Sequence, residues 1–258
     1  MAGNERTAAM ADFMWLARTR RETYRNLPAE LAPRDLAEAY AGQEAYYRLA
    51  EGTYGPVAGA KIATTTKVMQ ALMGITHPCA GAIFQRTIHA SPARLATADF
   101  VNLRIESEIA LHLGADLPAS GAPWTRARVA PAVTAAMPAF ELIEDRNANY
   151  KETNAHSLIV ENCWNGGIVI GRPVAGFPNL VGIRGSLTIN GEHIGNGSAE
   201  DPFDTLAWLA NTLAERGRGL SAGMVVITGS VIPTVSVAPG DRVVFSVEGL
   251  GEVVADVS

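Results

Sequence analysis

Val101-Asn-Leu-Arg-Ile-Glu-Ser-Glu-Ile-Ala-Leu-His-Leu113 alternates apolar and polar side chains along most of its length. Val101, Leu103, Ile105, Ile109, Leu111 and Leu113 hold odd positions, whereas Arg104, Glu106, Glu108 and His112 hold even ones. Successive side chains of a strand point to opposite faces, so this period of two predicts a β-strand with two unlike faces. The same pleat puts Glu106 and Glu108 on one side, close enough for both to give oxygens to one hard cation. For this stretch alone, two acids facing water on an exposed sheet is the alternative.

A third acid follows in Pro138-Ala-Phe-Glu-Leu-Ile-Glu-Asp-Arg146. Glu141 is flanked by Phe140, Leu142 and Ile143 and is expected to be partly buried, where a carboxylate needs a metal, a cation or a proton. Glu144 and Asp145 read instead as a solvated turn. Three carboxylates without paired histidines favour Mg²⁺ or Mn²⁺ over Zn²⁺. None of the five histidines forms H-E-x-x-H or another familiar ligand spacing.

Upstream, Gly59-Ala-Lys61-Ile-Ala-Thr-Thr-Thr-Lys67-Val-Met-Gln70 places Lys61 in a short extended run after glycines. A lysine that is desolvated or beside a cation can lose its proton more easily and take one from a carbon next to a carbonyl. A surface lysine is the alternative. Downstream, Thr228-Gly229-Ser230 follows the strand-like Met-Val-Val-Ile. Its backbone N–H groups and serine hydroxyl are candidates to grip a substrate carboxylate, although the same tripeptide serves in ordinary turns.

From about Thr7 to Glu51 apolar residues recur every three or four positions, which predicts helix, and Pro28 and Pro33 divide it into at least two. After Gly52 short strand-like runs dominate, among them Val-Val-Ile-Thr-Gly-Ser-Val, Thr-Val-Ser-Val-Ala and the run from Arg242 to Val257, with Pro239-Gly240-Asp241 as a turn. One helix interrupts them: Asp201 as N-cap, Pro202 in the first turn, Leu206, Leu209 and Leu213 as the stripe, Gly217 as the stop.

The bulk properties exclude several classes. The chain has 258 residues, nearly half of them apolar, so it can bury a sizeable core and is no candidate for global disorder. A net charge of -5 without a basic run argues against general nucleic-acid binding. Cys79 and Cys163 are the only cysteines and lie far apart, suggesting neither a disulfide framework nor a thiol-rich zinc site. No apolar run approaches a membrane-spanning length, and a soluble protein of the reducing cytoplasm is expected. A P-loop, a G-x-S-x-G elbow and a dinucleotide fingerprint are all missing from the sequence.

Taken in order, these segments resemble the 2-keto-4-pentenoate hydratase and 4-oxalocrotonate decarboxylase family of the fumarylacetoacetate hydrolase superfamily. Gly59 to Gln70 is similar to that family's G-x-K-I-x-x-T-S-K-x-M-Q pattern, Glu106 and Glu108 to its E-x-E strand, and Pro138 to Arg146 to its P-A-L-E-I-x-D-S-R segment. Glu161-Asn162 with Gly166-Gly167-Ile-Val-Ile-Gly171, the helix around Leu206 to Ala214, Ala222-Gly223, Thr228-Gly229-Ser230 and Pro239-Gly240-Asp241-Arg242 continue the likeness in the same order.

The resemblance implies an α+β fold, a mixed β-sandwich roll with a helical N-terminal region over residues 1–58 and a metal-binding, β-rich catalytic domain over 59–258. It further implies a divalent metal on Glu106, Glu108 and Glu141, Lys61 as the acid/base residue, and a homo-oligomer. The metal would chelate the 2-oxo and carboxylate oxygens of a small anionic 2-oxo acid and stabilise the enolate formed when a proton moves at the neighbouring carbon. A 2-oxopent-4-enoate-type hydratase is the leading expectation. A 2-oxo-3-enedioate decarboxylase, an acylpyruvate-type C–C hydrolase and a noncatalytic partner subunit are the alternatives. The sequence departs from the family at Pro78-Cys79-Ala80-Gly81, where the family has Pro-Asp, an aromatic residue and Gly. It departs again at Asn162-Cys-Trp-Asn165, where small residues are replaced and Trp164 stands to reshape the pocket.

Overall fold

The computed structural model describes residues 3–258. Its elements, in chain order, are α1 (Gly3–Thr19), α2 (Leu36–Tyr54), β1 (Val57–Ala63), α3 (Lys67–Leu72), β2 (Cys79–Phe84), β3 (Ile88–Ala90), β4 (Ala93–Leu95), β5 (Leu103–Leu113), α4 (Arg126–Val129), β6 (Val133–Glu144), α5 (Ala155–Val160), β7 (Asn165–Ile170), β8 (Arg184–Ile189), β9 (Glu192–Ser198), α6 (Pro202–Ala214), β10 (Val225–Ser236), β11 (Arg242–Val247) and β12 (Gly251–Val257). Short 3₁₀ turns fill several of the connections.

The alternating stretch forms β5 and lies near the middle of a seven-stranded mixed sheet, ordered β2-β1-β10-β5-β6-β7-β3. β5 pairs antiparallel with β6 on one side and β10 on the other, while β1 runs parallel to β10. A second, five-stranded sheet ordered β4-β12-β11-β8-β9 packs over it. The rings of Phe140 on β6 and Phe245 on β11 meet at 6.4 Å between the two sheets. Phe140, Leu142, Leu187, Phe245 and Val253 share the main buried cluster, as alternation of inward-facing residues requires of a sandwich.

The other face of β6 decides where the site forms. Met137 and Ala139 sit there in a smaller apolar cluster with Ile83, Ala110, Ile168, Val225 and Ile227. The next residues of β6 with the same parity are Glu141 and Ile143. On β5 the same succession runs from Ala110 to Glu108 and Glu106. An apolar packed surface therefore passes directly into a carboxylate-bearing one on neighbouring strands.

The expected helical N-terminal segment resolves into α1 and α2, and Gly55, at φ +78°, closes α2 before β1 begins. The Asp35 side chain caps α2 by accepting from Glu38 N at 2.8 Å. Met10, Met14 and Tyr46 belong to the same buried cluster as the sandwich residues. At Gly42, a Cβ would meet Val160 at 3.0 Å, so glycine lets α2 approach α5 closely. Gln43 Nε2 on α2 then donates to Ala80 O at 2.9 Å and Ile159 O at 2.8 Å, tying the helix to β2 and α5. The predicted helix after Asp201 is α6, with Asp201 Oδ1 accepting from Phe203 N at 3.0 Å and Gly217 at φ +68° beyond its end.

Two readings are corrected. The separate strand-like runs Val-Val-Ile-Thr-Gly-Ser-Val and Thr-Val-Ser-Val-Ala join through Ile232 and Pro233 into one strand, β10, whose pairing with β5 shifts register three times between Ile227 and Val235. Bulges absorb the interruption that turn-forming residues suggested. Glu144 and Asp145 are buried, not a solvated turn. The Glu144 carboxylate accepts from Val101 N at 2.8 Å and Asn102 N at 3.1 Å, and Asp145 accepts from Asn102 Nδ2 at 2.7 Å and Tyr150 OH at 2.9 Å. Partners distant in sequence supply the hydrogen bonds that water was expected to give. Among the described residues no helix is long and apolar enough to cross a membrane.

Candidate metal centre

Register brings the three glutamates together. Glu106 and Glu108 share a face of β5, Glu106 stands opposite Glu141 of β6, and Glu108 stands opposite Ser230 of β10. One carboxylate oxygen from each of the three lies within 4.8 Å of the others. Glu108 and Glu141 are fully buried and Glu106 is partly so.

Each acid is aimed by a neighbour. Glu108 Oε2 accepts from Gly229 N at 2.7 Å, and Gly229 holds φ +110°, a backbone conformation that side-chain-bearing residues rarely adopt. Glu106 Oε1 accepts from Thr234 Oγ1 at 2.5 Å. Glu141 Oε1 accepts from Asn165 Nδ2 at 2.8 Å and pairs with Lys61 Nζ, also at 2.8 Å. Glu108 Oε1 and Glu141 Oε2 are left buried without a partner. Buried carboxylate oxygens in that state are rare and costly. With all groups ionised, three carboxylates against one ammonium leave two negative charges, which one divalent cation balances. Residues of this chain thus fit a hard, oxygen-ligated ion in donor type, number and charge.

The titration of these groups carries the same signature. Burial, followed by the charges of Glu141 and Glu106, pushes the Glu108 carboxyl well above its usual range. Burial likewise raises Glu141 to about 7, against the opposing pull of Lys61. For Lys61, burial favours the neutral amine, but the Glu141 carboxylate, then the field of Cys163 and Glu106, outweigh it and raise the ammonium's pKa. Without a metal, Lys61 holds its proton.

Lys61 lies on β1 and is only 2% exposed. Its ammonium also donates to Cys163 O at 3.2 Å. That carbonyl is presented by three successive residues with left-handed backbone: Asn162, Cys163 and Trp164, at φ +60°, +51° and +57°. Asn162 fastens the turn to β2, its Oδ1 accepting from Ala82 N at 2.7 Å and its Nδ2 donating to Ala82 O at 2.9 Å. Asn162 and Asn165 were not singled out as positioning groups in the sequence. For Asn162 the available signal was asparagine itself, which tolerates left-handed backbone better than other side-chain-bearing residues; Asn165, at φ -64°, carried no such signal.

A cavity of about 480 Å³ opens beside the acids, lined in part by Lys61, Glu106, Ser230 and Thr234. Of the expected anion-gripping tripeptide, Ser230 lines the cavity and its hydroxyl donates to Ile232 O at 2.5 Å. The Thr228 hydroxyl is spent on Ile109 O at 2.9 Å and the Gly229 N–H on Glu108. Cys79 is buried and free, beside Cys163.

A sandwich carrying a buried carboxylate triad with an adjoining lysine defines a class of oxygen-ligated divalent-metal sites. Residues 69–258 match the family described as fumarylacetoacetate (FAA) hydrolase C-terminal, and the chain belongs to that family. It is 33% identical over 233 residues to 2-keto-4-pentenoate hydratase 1 of Dechloromonas aromatica (strain RCB), covering 87% of each chain. It is 28% identical over 259 residues to 4-oxalocrotonate decarboxylase of Pseudomonas putida, covering 97% of this chain and 96% of the relative. Among solved structures, 4-oxalocrotonate decarboxylase from Pseudomonas putida G7, complexed with magnesium and adipate, superposes with a TM-score of 0.89 at 26% identity over 98% of both chains.

Proposed function

We propose that this chain is a divalent-metal-dependent lyase acting on a small anionic 2-oxo acid or its enol, and that its reaction is hydration of a 2-oxopent-4-enoate-type substrate. The observation that carries the reading is the convergence of Glu106, Glu108 and Glu141, two of their oxygens unpartnered, beside the buried Lys61, with Lys61 and Glu106 lining a substrate-sized cavity. Similarity to the hydratase of Dechloromonas aromatica supports it. Glu106, Glu108 and Glu141 would hold Mg²⁺ or Mn²⁺, which supplies Lewis-acid stabilisation of negative charge on a 2-oxo oxygen.

The remaining work falls to the chain's own groups. Lys61 Nζ, protonated beside Glu141, delivers a proton to a carbon of the substrate's conjugated chain; the oxygen of a water bonds to the electrophilic carbon of that chain, and the proton this water releases restores the ammonium. Asn165 and the Cys163 carbonyl fix the Glu141–Lys61 pair in position. The apolar cluster behind the triad keeps water from the rear of the carboxylates. Thr228, Gly229 and Ser230 contribute chiefly by setting Glu108 and the cavity edge.

Decarboxylation of a 2-oxo-3-enedioate is the second reading, favoured by the backbone match to the decarboxylase from Pseudomonas putida G7. The two are separated by incubating the Mg²⁺- or Mn²⁺-loaded protein with 2-hydroxypenta-2,4-dienoate and with 4-oxalocrotonate while following ultraviolet loss and CO₂ release. Loss of the dienoate absorbance without CO₂ is expected. Metal-independent turnover, or none on either substrate, would defeat the reading. We further propose a homo-oligomer in solution, on the family resemblance; sedimentation showing only monomer at micromolar concentration would oppose it.

A further inference from the structure

The two cysteines, remote in sequence, are brought together beside Lys61. Cys79 opens β2 opposite Ala63 of β1, and Gly81, two residues on, stands opposite Lys61. A Cβ on Gly81 would meet Asn162 Oδ1 at 3.0 Å and Lys61 Cδ at 3.1 Å, so this face of β2 is turned to Lys61 and to the left-handed turn at Asn162, Cys163 and Trp164. Side chains two apart on a strand share a face, which points Cys79 at the same turn. From that turn Cys163 Sγ lies 3.7 Å from Ala80 O and within hydrogen-bonding reach of the Cys79 sulfur. Both cysteines are buried and free. Cys163 lines the cavity, as does Thr64, whose hydroxyl is also beside Cys79. Neither thiol has a part in the chemistry above, yet the Cys163 carbonyl is one of two groups that hold the Lys61 ammonium, Glu141 being the other.

We propose that Cys79 and Cys163 are a modification site, a thiol pair that a hydroperoxide entering the cavity converts to a disulfide, and that the disulfide takes Lys61 out of position. Cys163, at the cavity wall, meets the oxidant. Its sulfur bonds to one peroxide oxygen as the O–O bond breaks; the other oxygen leaves with the thiol's proton, and Cys163 carries a sulfenic acid. The Cys79 sulfur then attacks that of Cys163: the S–S bond forms, the S–O bond breaks, and the departing hydroxide takes up the Cys79 proton as water. Each sulfur has given one electron, and one peroxide has been reduced. The surroundings assist both steps. Contact with Cys163, then the Thr64 hydroxyl and the charge of Lys61, hold the Cys79 thiol below its ordinary range against burial, whereas the Cys79 contact and burial push Cys163 up. The two sulfurs therefore ionise as a pair, and passage of the remaining proton to Cys79 leaves a thiolate on the cavity side. A disulfide draws the sulfurs to about 2 Å, closer than any hydrogen bond between them. Because β2 is held by its pairing with β1, the turn has to move, and the Cys163 carbonyl moves with it away from Lys61 Nζ. The loss of turnover rests on the role of Lys61 given above; the cross-link does not.

Peptide mapping without reductant tests the site. After treatment of the Mg²⁺-loaded protein with excess hydrogen peroxide, peptides joined through Cys79 and Cys163 should appear in a chain that still runs as a monomer in denaturant, with both thiols closed to alkylation. Turnover of 2-hydroxypenta-2,4-dienoate should fall roughly tenfold or more and return with dithiothreitol. Reversal matters because Met69 and Met73 line the same cavity, and dithiothreitol does not undo a sulfoxide. Cys79→Ser should keep its basal turnover and give no joined peptides; without a resolving thiol, Cys163 should pass on to the sulfinic acid, a loss that dithiothreitol does not restore. Two free thiols after peroxide, peptides joined only between chains, or a joined pair with unchanged turnover would each overturn the proposal. Mapping and thiol counting need no substrate, so failure of the hydration reading would show separately, in reduced protein that turns over neither test substrate.

Discussion

Two buried charge clusters lie side by side in this molecule, and they are built on opposite accounts. In one, Glu161 is fully buried and its Oε1 meets Arg146 at 3.1 Å and Arg18 at 3.2 Å. The second guanidinium nitrogens are used as well: Arg146 donates to Glu22 O at 2.7 Å and Arg18 to Asn165 O at 2.8 Å. In the other, Glu106, Glu108 and Glu141 share the single ammonium of Lys61, and two carboxylate oxygens have no partner. The first cluster draws its counter-charges from α1 and the segment after β6, two guanidiniums to one carboxylate, although Glu161 Oε2 and Arg146 Nε are also without a hydrogen-bond partner. The second is left negative on the edge of a cavity. Neither burial nor an unpartnered atom therefore marks a functional site by itself; an excess of negative charge beside a cavity does.

The largest effect should come from taking away what the second cluster lacks. Chelation of divalent metal is expected to reduce turnover to background and to lower thermal stability, both restored by Mg²⁺ or Mn²⁺ through mass action. Activity that survives exhaustive chelation would show the two clusters to be of one kind. Next in size is Glu161→Gln, which strands two buried guanidiniums. Breaking one partner out of such a group costs about 3–5 kcal/mol, read by urea unfolding, whereas the number of Mg²⁺ bound per chain should not change. A stability loss under about 1 kcal/mol would show that Glu161 is not a structural keystone.

Third is Lys61→Met, which keeps much of the aliphatic length and removes the titratable nitrogen. Turnover should fall roughly 10²-fold or more while metal binding and folding persist. Wild-type turnover of the true substrate by a metal-loaded Lys61→Met protein would remove Lys61 from the proton-transfer role.

Much of this contrast was legible in the sequence on one side only. The period of two in β5 places Glu106 and Glu108 on one face, and apolar neighbours forecast a buried Glu141, because those properties are local. Lys61 could be singled out but not paired, since its contact with Glu141 depends on β1 standing two strands from β5 across β10. The closed cluster was opaque: Arg18 and Glu161 are 143 residues apart, and nothing in either's neighbourhood names the other. Glu144 and Asp145 were misjudged for the same reason, as their donors come from the segment leading into β5. Asn162 and Asn165 looked like a departure from a small-residue pattern, and only the left-handed turn shows what they hold.

The smallest expected effect is the sharpest test of the contrast: Glu108→Gln in the metal-free protein. The amide keeps the shape and can still accept the Gly229 N–H, but it cannot ionise beside Glu106 and Glu141. Burial and those two neighbours hold the Glu108 pKa well above its ordinary 4.5, so the folded wild type binds a proton that the unfolded chain releases as pH rises past that value. Stability must then decline with rising pH for as long as the folded group keeps that proton and the unfolded one does not. Glutamine escapes that decline. The metal-free variant should thus match wild type near pH 4.5 and exceed it toward neutral pH, by on the order of 0.5–2 kcal/mol, as expected when a strained functional group is neutralised. Adding Mg²⁺ should reverse the order, because wild type gains binding free energy that the amide, a poorer ligand, forgoes. Thermal unfolding at the two pH values, with chelator and with Mg²⁺, gives all four quantities. If Glu108→Gln instead destabilises the metal-free protein as heavily as Glu161→Gln, the carboxylate triad is a structural ion cluster like its neighbour, and the distinction drawn between the two regions fails.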